Sequence, residues 1–210
     1  MGMTKLVRCG LGLAACIVAL TLAASAGADG ASQSTSPIFP FVNPNVTLDG
    51  YSTLVRNDGG VSATAHLDGL NAGGAYTMWW LFFNNPAACT HPVFTSGGVK
   101  VSNCGPADLA TPAAAPSFQY ADGHVVGGSG QATFAGHFSV GDTPQCALPT
   151  LPCAGLADAR NAEVHLVIRS LGDAVPDLIS DQIHSFLAGC HAGEPNAGRC
   201  GNIRVSIHMP

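Results

Sequence analysis

Residues 61–83 read VSATAHLDGLNAGGAYTMWWLFF, and the two halves of this stretch carry different periods. In the first half Val61, Ala63, Ala65 and Leu67 alternate with Ser62, Thr64, His66 and Asp68. Period two puts the apolar set on one face of a strand and the polar set on the other. Residues 68–74, DGLNAGG, make a corner, because Gly and Asn accept the left-handed backbone that a tight turn needs. Residues 75–83 are then apolar almost without interruption and hold both tryptophans of the chain, Trp79 and Trp80. A strand without alternation is covered on both faces, and the aromatic content favours a strand over a helix. The two tryptophans point to opposite sides. Core is the expectation for both, with one exposed aromatic for a sugar ring or apolar ligand as the alternative.

The same alternation recurs on either side. A strand is expected at 51–56, followed by the turn Asn57-Asp58-Gly59-Gly60. In 131–140, Ala132, Phe134, Phe138 and Val140 share a face; in 163–169, Val164, Leu166 and Ile168 do; in 203–209, Ile203, Val205, Ile207 and Met209 do. Residues 118–126 read as a small hairpin turning at Ala121-Asp122-Gly123. Gly127-Gly128-Ser129-Gly130 has neither the helix nor the lysine of a phosphate loop and reads as a turn. Residues 176–187, PDLISDQIHSFL, change to helical spacing, with Leu178, Ile179, Ile183, Phe186 and Leu187 on one face. These patterns predict an all-β fold, an antiparallel Greek-key β-sandwich or barrel with one short amphipathic helix and disulfide-stapled loops.

The first 26 residues read as a signal peptide. Lys5 and Arg8 precede an apolar run over 11–24, and Ala24-Ser25-Ala26 is a small-x-small cleavage site. The run is too short for the roughly 20 apolar residues of a bilayer span, so no transmembrane anchor is expected. Leu13-Ala14-Ala15-Cys16 has the form of a lipobox. The apolar run continues past Cys16, so cleavage after Ala26 is preferred to a lipid anchor. Residues 27–43 read as a flexible lead-in and 44–210 as one domain, with a glycosylation sequon at Asn45. Loss of Lys5 and Arg8 leaves six basic residues against 13 acidic, a net charge of −7. No basic stripe exists, which argues against nucleic acid as a partner; a small-molecule or protein ligand stays open.

Six cysteines remain after cleavage, in three local couples: Cys89 with Cys104, Cys146 with Cys153, and Cys190 with Cys200. An even count in an exported chain implies disulfides, and proximity selects this pairing among fifteen. The secreted or periplasmic space is the expected location.

Eight histidines stand out against so few other charges. Four of them, His66, His137, His165 and His208, fall on the polar faces of predicted strands, and Glu163 and Arg169 share the face of His165. Imidazoles with a carboxylate suit Zn2+ or Cu2+, with Glu163 fixing a tautomer from behind. The other reading of the same residues is a solvated outer face. Asp181, His184, Cys190 and His191 form a second group, best read as the wet face of the helix with Cys190 taken by a disulfide. No Gly-x-Ser-x-Gly and no free cysteine offers a nucleophile.

Residues 67–74, with their Gly-Leu-x-x-Gly core at Gly69 to Gly73 and a cysteine following at 89, resemble a hairpin of the Cu/Zn superoxide dismutases and of CHRD sandwich domains. Residues 195–203, PNAGRCGNI, resemble the stretch before the last strand of the dismutases. The resemblance implies a Greek-key fold. In the dismutases a His-x-His pair on the hairpin's second strand binds copper; here the matching residues are Thr77-Met78-Trp79-Trp80-Leu81, and the zinc-loop signature is missing too. No catalytic residue carries over. The reading is therefore an exported, non-catalytic binding or envelope-associated module with no cofactor expected; the alternative is a copper or zinc carrier or oxidoreductase using the strand histidines.

Overall fold

The computed structural model describes residues 30–142 and 146–210, so the expected signal peptide, Cys16 and the expected cleavage site lie outside the described residues. Ten strands are formed: β1 (Ser32–Pro40), β2 (Leu48–Asn57), β3 (Gly60–Leu67), β4 (Gly74–Phe83), β5 (Val93–Phe94), β6 (Lys100–Ser102), β7 (Pro116–Val125), β8 (Ala132–Ser139), β9 (Glu163–Asp173) and β10 (Gly201–His208). Eight make one antiparallel sheet in the order β7-β4-β9-β10-β1-β2-β3-β8, and β5 pairs with β6 alone. The sheet curls until its edges, β7 and β8, lie side by side. Across that seam Ala135 N donates to Asp122 Oδ2 at 2.8 Å. The result is a nearly closed barrel. The connection from β3 to β4 passes over β8 and β7, and that from β8 to β9 passes back over β7 and β4, a Greek-key path.

Residues 61–83 behave as their periods require. β3 puts Val61, Ala63, Ala65 and Leu67 into the barrel, and every residue of β4 is buried. Tyr76, Met78, Trp80 and Phe82 fill the barrel with Ile38, Leu54, Phe134, Phe138, Leu166 and Ile168. The opposite face of β4, with Trp79, Leu81 and Phe83, joins Phe39, Phe118, Val167 and Val205 in a second core outside the barrel. Loops at 84–115, 146–153 and 183–200 cover that outer core. Both tryptophans are core residues, 2% and 0% exposed, so neither is an exposed ligand aromatic. Trp79 stacks on Phe118 and donates Nε1 to Thr77 Oγ1 at 2.7 Å. Trp80 Nε1 is the buried side-chain polar atom, among the described residues, that lacks a partner, at a cost on the order of 1–3 kcal/mol.

The predicted pairing of cysteines is the one observed. Cα separations are 5.1 Å for Cys89 and Cys104, 5.5 Å for Cys146 and Cys153, and 5.9 Å for Cys190 and Cys200. Each bridge staples a loop of the outer layer.

Four local expectations are corrected. Residues 32–40, part of the expected flexible lead-in, form β1 between β10 and β2. Its inward side is Ser34, Ser36 and Ile38, too polar to signal a buried strand. Residues 116–125 run through as a single strand, because the Asp122 carboxylate binds Gly123 N and Ala135 N instead of closing a turn. The helix stops early, with a 3-10 turn at Pro176–Leu178 and α1 at Ile179–Gln182. Its buried residue is Gln182, which accepts from Val175 N and donates to the carbonyls of Leu171 and Asp173. Finally, β10 turns Val205 and Ile207 to the outer core and Ser206 and His208 into the barrel, following a register shift between Asn202 and Arg204, while Met209 is exposed.

Candidate binding cavity

The polar-face histidines separate. His66 and His137 lie on the outer surface of β3 and β8. His66 Nδ1 is 3.0 Å from Thr133 Oγ1, and His137 contacts Ser62 and Ser139. The ladder pairs His66 with Thr133 and Ser62 with His137, four residues or about 13 Å apart. That is far beyond the roughly 2 Å reach of ligands around one ion. His208 is inside the barrel and His165 is on the opposite side of the sheet. Among the described residues no three His, Cys, Asp or Glu side chains are grouped as a metal would need. His184 bonds the carbonyl of Ser180, Cys190 is disulfide-bonded, and His191 is exposed.

His208 belongs to a polar network within the barrel. Its Nε2 is 2.8 Å from Ser52 Oγ, its Nδ1 2.8 Å from Ser34 Oγ, and Ser52 also bonds Ser206. Arg56 closes that end, donating to the carbonyls of Ala159, Arg160, Ala162, His208 and Met209. Desolvation, aided by the charges of Arg56 and His165, lowers the His208 pKa to about 4. The ring is therefore neutral at pH 7 and sealed from substrates, which makes it structural.

The outer face of β9 carries Glu163, His165, Val167 and Arg169 under the loop layer. Glu163 is fully buried and takes five donors: Ser102 Oγ, Asn103 N, Asn103 Nδ2, Cys104 N and His165 Nε2, the last at 2.8 Å. Burial raises its pKa, but the hydrogen bonds from His165, Ser102 and Asn103 and the charge of His165 outweigh it and hold the carboxyl at about 2. Its role is to pin the loop after β6. Asp108 does the same for the loop after β4, receiving N–H donors from Thr90, His91 and Gly105, and its carboxyl is also held at about 2 against the cost of burial.

Ser102, His165 and Glu163 are the three residue types of a nucleophilic relay, but the geometry is not one. Ser102 Oγ and Glu163 Oε1 both approach the same ring nitrogen, Nε2, at 3.2 and 2.8 Å. A relay needs the serine and the acid on opposite nitrogens. Among the described residues the other nitrogen, Nδ1, has no hydrogen-bond partner.

That nitrogen belongs to a residue that lines a cavity of about 660 Å³ on the outer face of the sheet. Its floor is Phe39, Leu81, Val167, Val205 and Ile207. The loop after β4 supplies Val93, Pro106 and Leu109, and the segment between β1 and β2 supplies Phe41, Val42 and Pro44. Phe186 and the two leucines of the Cys146-to-Cys153 loop, Leu148 and Leu151, complete the wall. The polar side chains on the lining are His165, Arg169 and Asn202. Gly123 holds the Phe186 segment close: a Cβ there would sit 1.9 Å from the Ile183 carbonyl oxygen. Size and composition match small-molecule sites, which run about 300–1,000 Å³ with apolar walls and few polar groups.

Alternation along β9 places His165 and Arg169 on one strand face but does not reveal the cavity above them. The available signal was the surplus of apolar residues in loops, Phe41, Leu109, Leu148, Leu151 and Phe186, which strand periodicity does not explain. Comparisons with family models, with curated proteins and with solved structures find no match for this chain.

Proposed function

We propose that the chain is an exported, non-catalytic binding module whose ligand is an apolar small molecule held in the cavity over β4, β9, β10 and β1. The observation that carries the reading is the cavity itself, largely apolar and walled in part by the two loops closed by the Cys89-to-Cys104 and Cys146-to-Cys153 bridges. The staples fit an oxidising compartment. No helix among the described residues is long and apolar enough to cross a membrane. The carboxylates nearby, Glu163 and Asp108, are filled by internal donors, which suits holding a ligand more than transforming it. Where the dismutase resemblance would set copper ligands, Leu81 lines the cavity and Trp79 packs behind it.

The test uses residues 27–210, purified oxidised, titrated with the neutral apolar dye Nile red. Saturable binding of one dye per chain is expected, lost in Ile207→Trp, which fills the floor at a half-buried position. Absence of saturable binding, or binding equally strong in an Ile207→Trp protein with unchanged melting temperature, overturns the proposal. The metal-carrier alternative would need ligands that converge, and the separated histidines give it no observation in favour.

A further inference from the structure

The cavity has an apolar floor with Arg169 and Asn202 at one end and His165 at the other, and Arg169 is its one lysine or arginine. We propose that its ligand is an amphipathic monocarboxylate, with an acyl or similar body along the apolar floor and the carboxylate on the guanidinium of Arg169. This deepens the function proposed above and rests on the cavity being a binding site.

Arg169 is 8% exposed and lines the cavity. Its acceptors are neutral: Nε donates to the Phe186 carbonyl at 2.7 Å and Nη1 to Asn202 Oδ1 at 3.2 Å. The Phe186 ring lies 4.0 Å from Cζ. Among the described residues no carboxylate pairs with it, and Nη2 has no acceptor yet is not sealed off. Burying a cation without a counter-ion is costly. The other deeply buried arginine, Arg56, shows what a purely structural one looks like: five carbonyl oxygens take its donors. Arg169 has two neutral acceptors only, and it lines the cavity.

The acids of β9 do not complete it. Glu163 is six residues away, about 20 Å, and its oxygens are filled; Asp173 is four residues away, about 13 Å, and its exposed carboxylate pairs with Arg199. One guanidinium matches a carboxylate bidentately. A phosphate dianion would need further cations, and Arg169 is the one lysine or arginine on the lining. His165 stands about 13 Å along the strand from Arg169, so the apolar floor between them has the length of a medium acyl chain.

The experiment is calorimetric titration of oxidised residues 27–210 with decanoate, decanol and decylamine at neutral pH. Decanoate is expected to bind one per chain and about tenfold or more tighter than decanol, the scale of a charge-assisted pair, with decylamine weakest. In Arg169→Gln, decanoate should fall to the decanol level while decanol is unchanged; Ile207→Trp should abolish all three. Equal affinity for decanoate and decanol, or a decanoate preference that survives Ile207→Trp, overturns the carboxylate assignment while Nile red binding leaves the cavity reading standing. Failure of all three ligands together with Nile red overturns both. Should Arg169→Gln not fold, the three-ligand comparison in the wild-type protein decides alone.

Discussion

Lowering the pH from 7 to 4 should destabilise the barrel through one residue, His208. Its folded pKa is about 4 against an ordinary 6.5, so the unfolded chain binds a proton that the folded chain refuses across that window. Stability rises with pH wherever the unfolded state holds more protons. His208 therefore contributes fully above pH 6.5, and its contribution falls as the pH drops through 4, levelling off once the folded ring is protonated too. The loss is about 2 kcal/mol by pH 5 and about 3 kcal/mol by pH 4, since each tenfold difference in proton affinity between the folded and unfolded chain is worth about 1.36 kcal/mol. With His208 only 2% exposed, solvent screening removes little of this. Urea unfolding at pH 7, 6 and 5, followed by the fluorescence of the buried Trp79 and Trp80, measures it. His208→Gln lowers stability at pH 7 by breaking the serine network, but it should lack this slope. The gap between wild type and His208→Gln should therefore shrink by about 2 kcal/mol between pH 7 and pH 5. A gap that stays constant over that range refutes the buried, neutral histidine.

Glu163→Gln should cost about 2–3 kcal/mol at pH 7, and the deficit should shrink as the pH falls from 4.5 toward about 2, where wild-type Glu163 also becomes protonated; acid titration of the two proteins by circular dichroism checks both. Removing the Cys89-to-Cys104 bridge by double substitution to serine frees a loop with sequence separation 15, which should lower stability by about 3 kcal/mol in chemical denaturation. Intact-mass analysis of wild-type residues 27–210 should show all six cysteines alkylated only after reduction.

The two-faced β4, the alternating β3, β8 and β9 and the cysteine couples are legible in the sequence, because each rests on local periodicity or proximity. Hidden from it is β1, whose interior side is serine because it lines the polar end of the barrel. Inverted is β10, whose apolar residues serve the outer core. A strand pattern tells which residues share a face, but not which of two cores that face meets. The strand histidines escape a sequence reading for the same reason. Polar positions on β9 and β10 look wet, yet loops stapled far away in sequence cover one set, and barrel closure covers the other. Neither event leaves a mark on the strands themselves.

The outer face of β9 shows where the protein's own bonding ends. Glu163 accepts five donors and has no capacity left for a ligand. Two residues on, His165 spends Nε2 on Glu163 and leaves Nδ1 open. At Arg169, which lines the cavity, two donors meet neutral acceptors and no carboxylate among the described residues pairs with the guanidinium. Between them the face is apolar, with Val167 on the floor. A fold that needed this face only for packing would gain by replacing Arg169 with an apolar residue, since buried ions are often no more stabilising than hydrophobic side chains of similar volume. Keeping a buried, unneutralised guanidinium at the edge of an apolar cavity makes physical sense when a ligand supplies the missing charge. In the unliganded protein Arg169→Met should then be neutral or stabilising in chemical denaturation, while decanoate selectivity is lost. A strongly destabilised Arg169→Met would mean instead that the guanidinium is there to hold Phe186 and Asn202 in place.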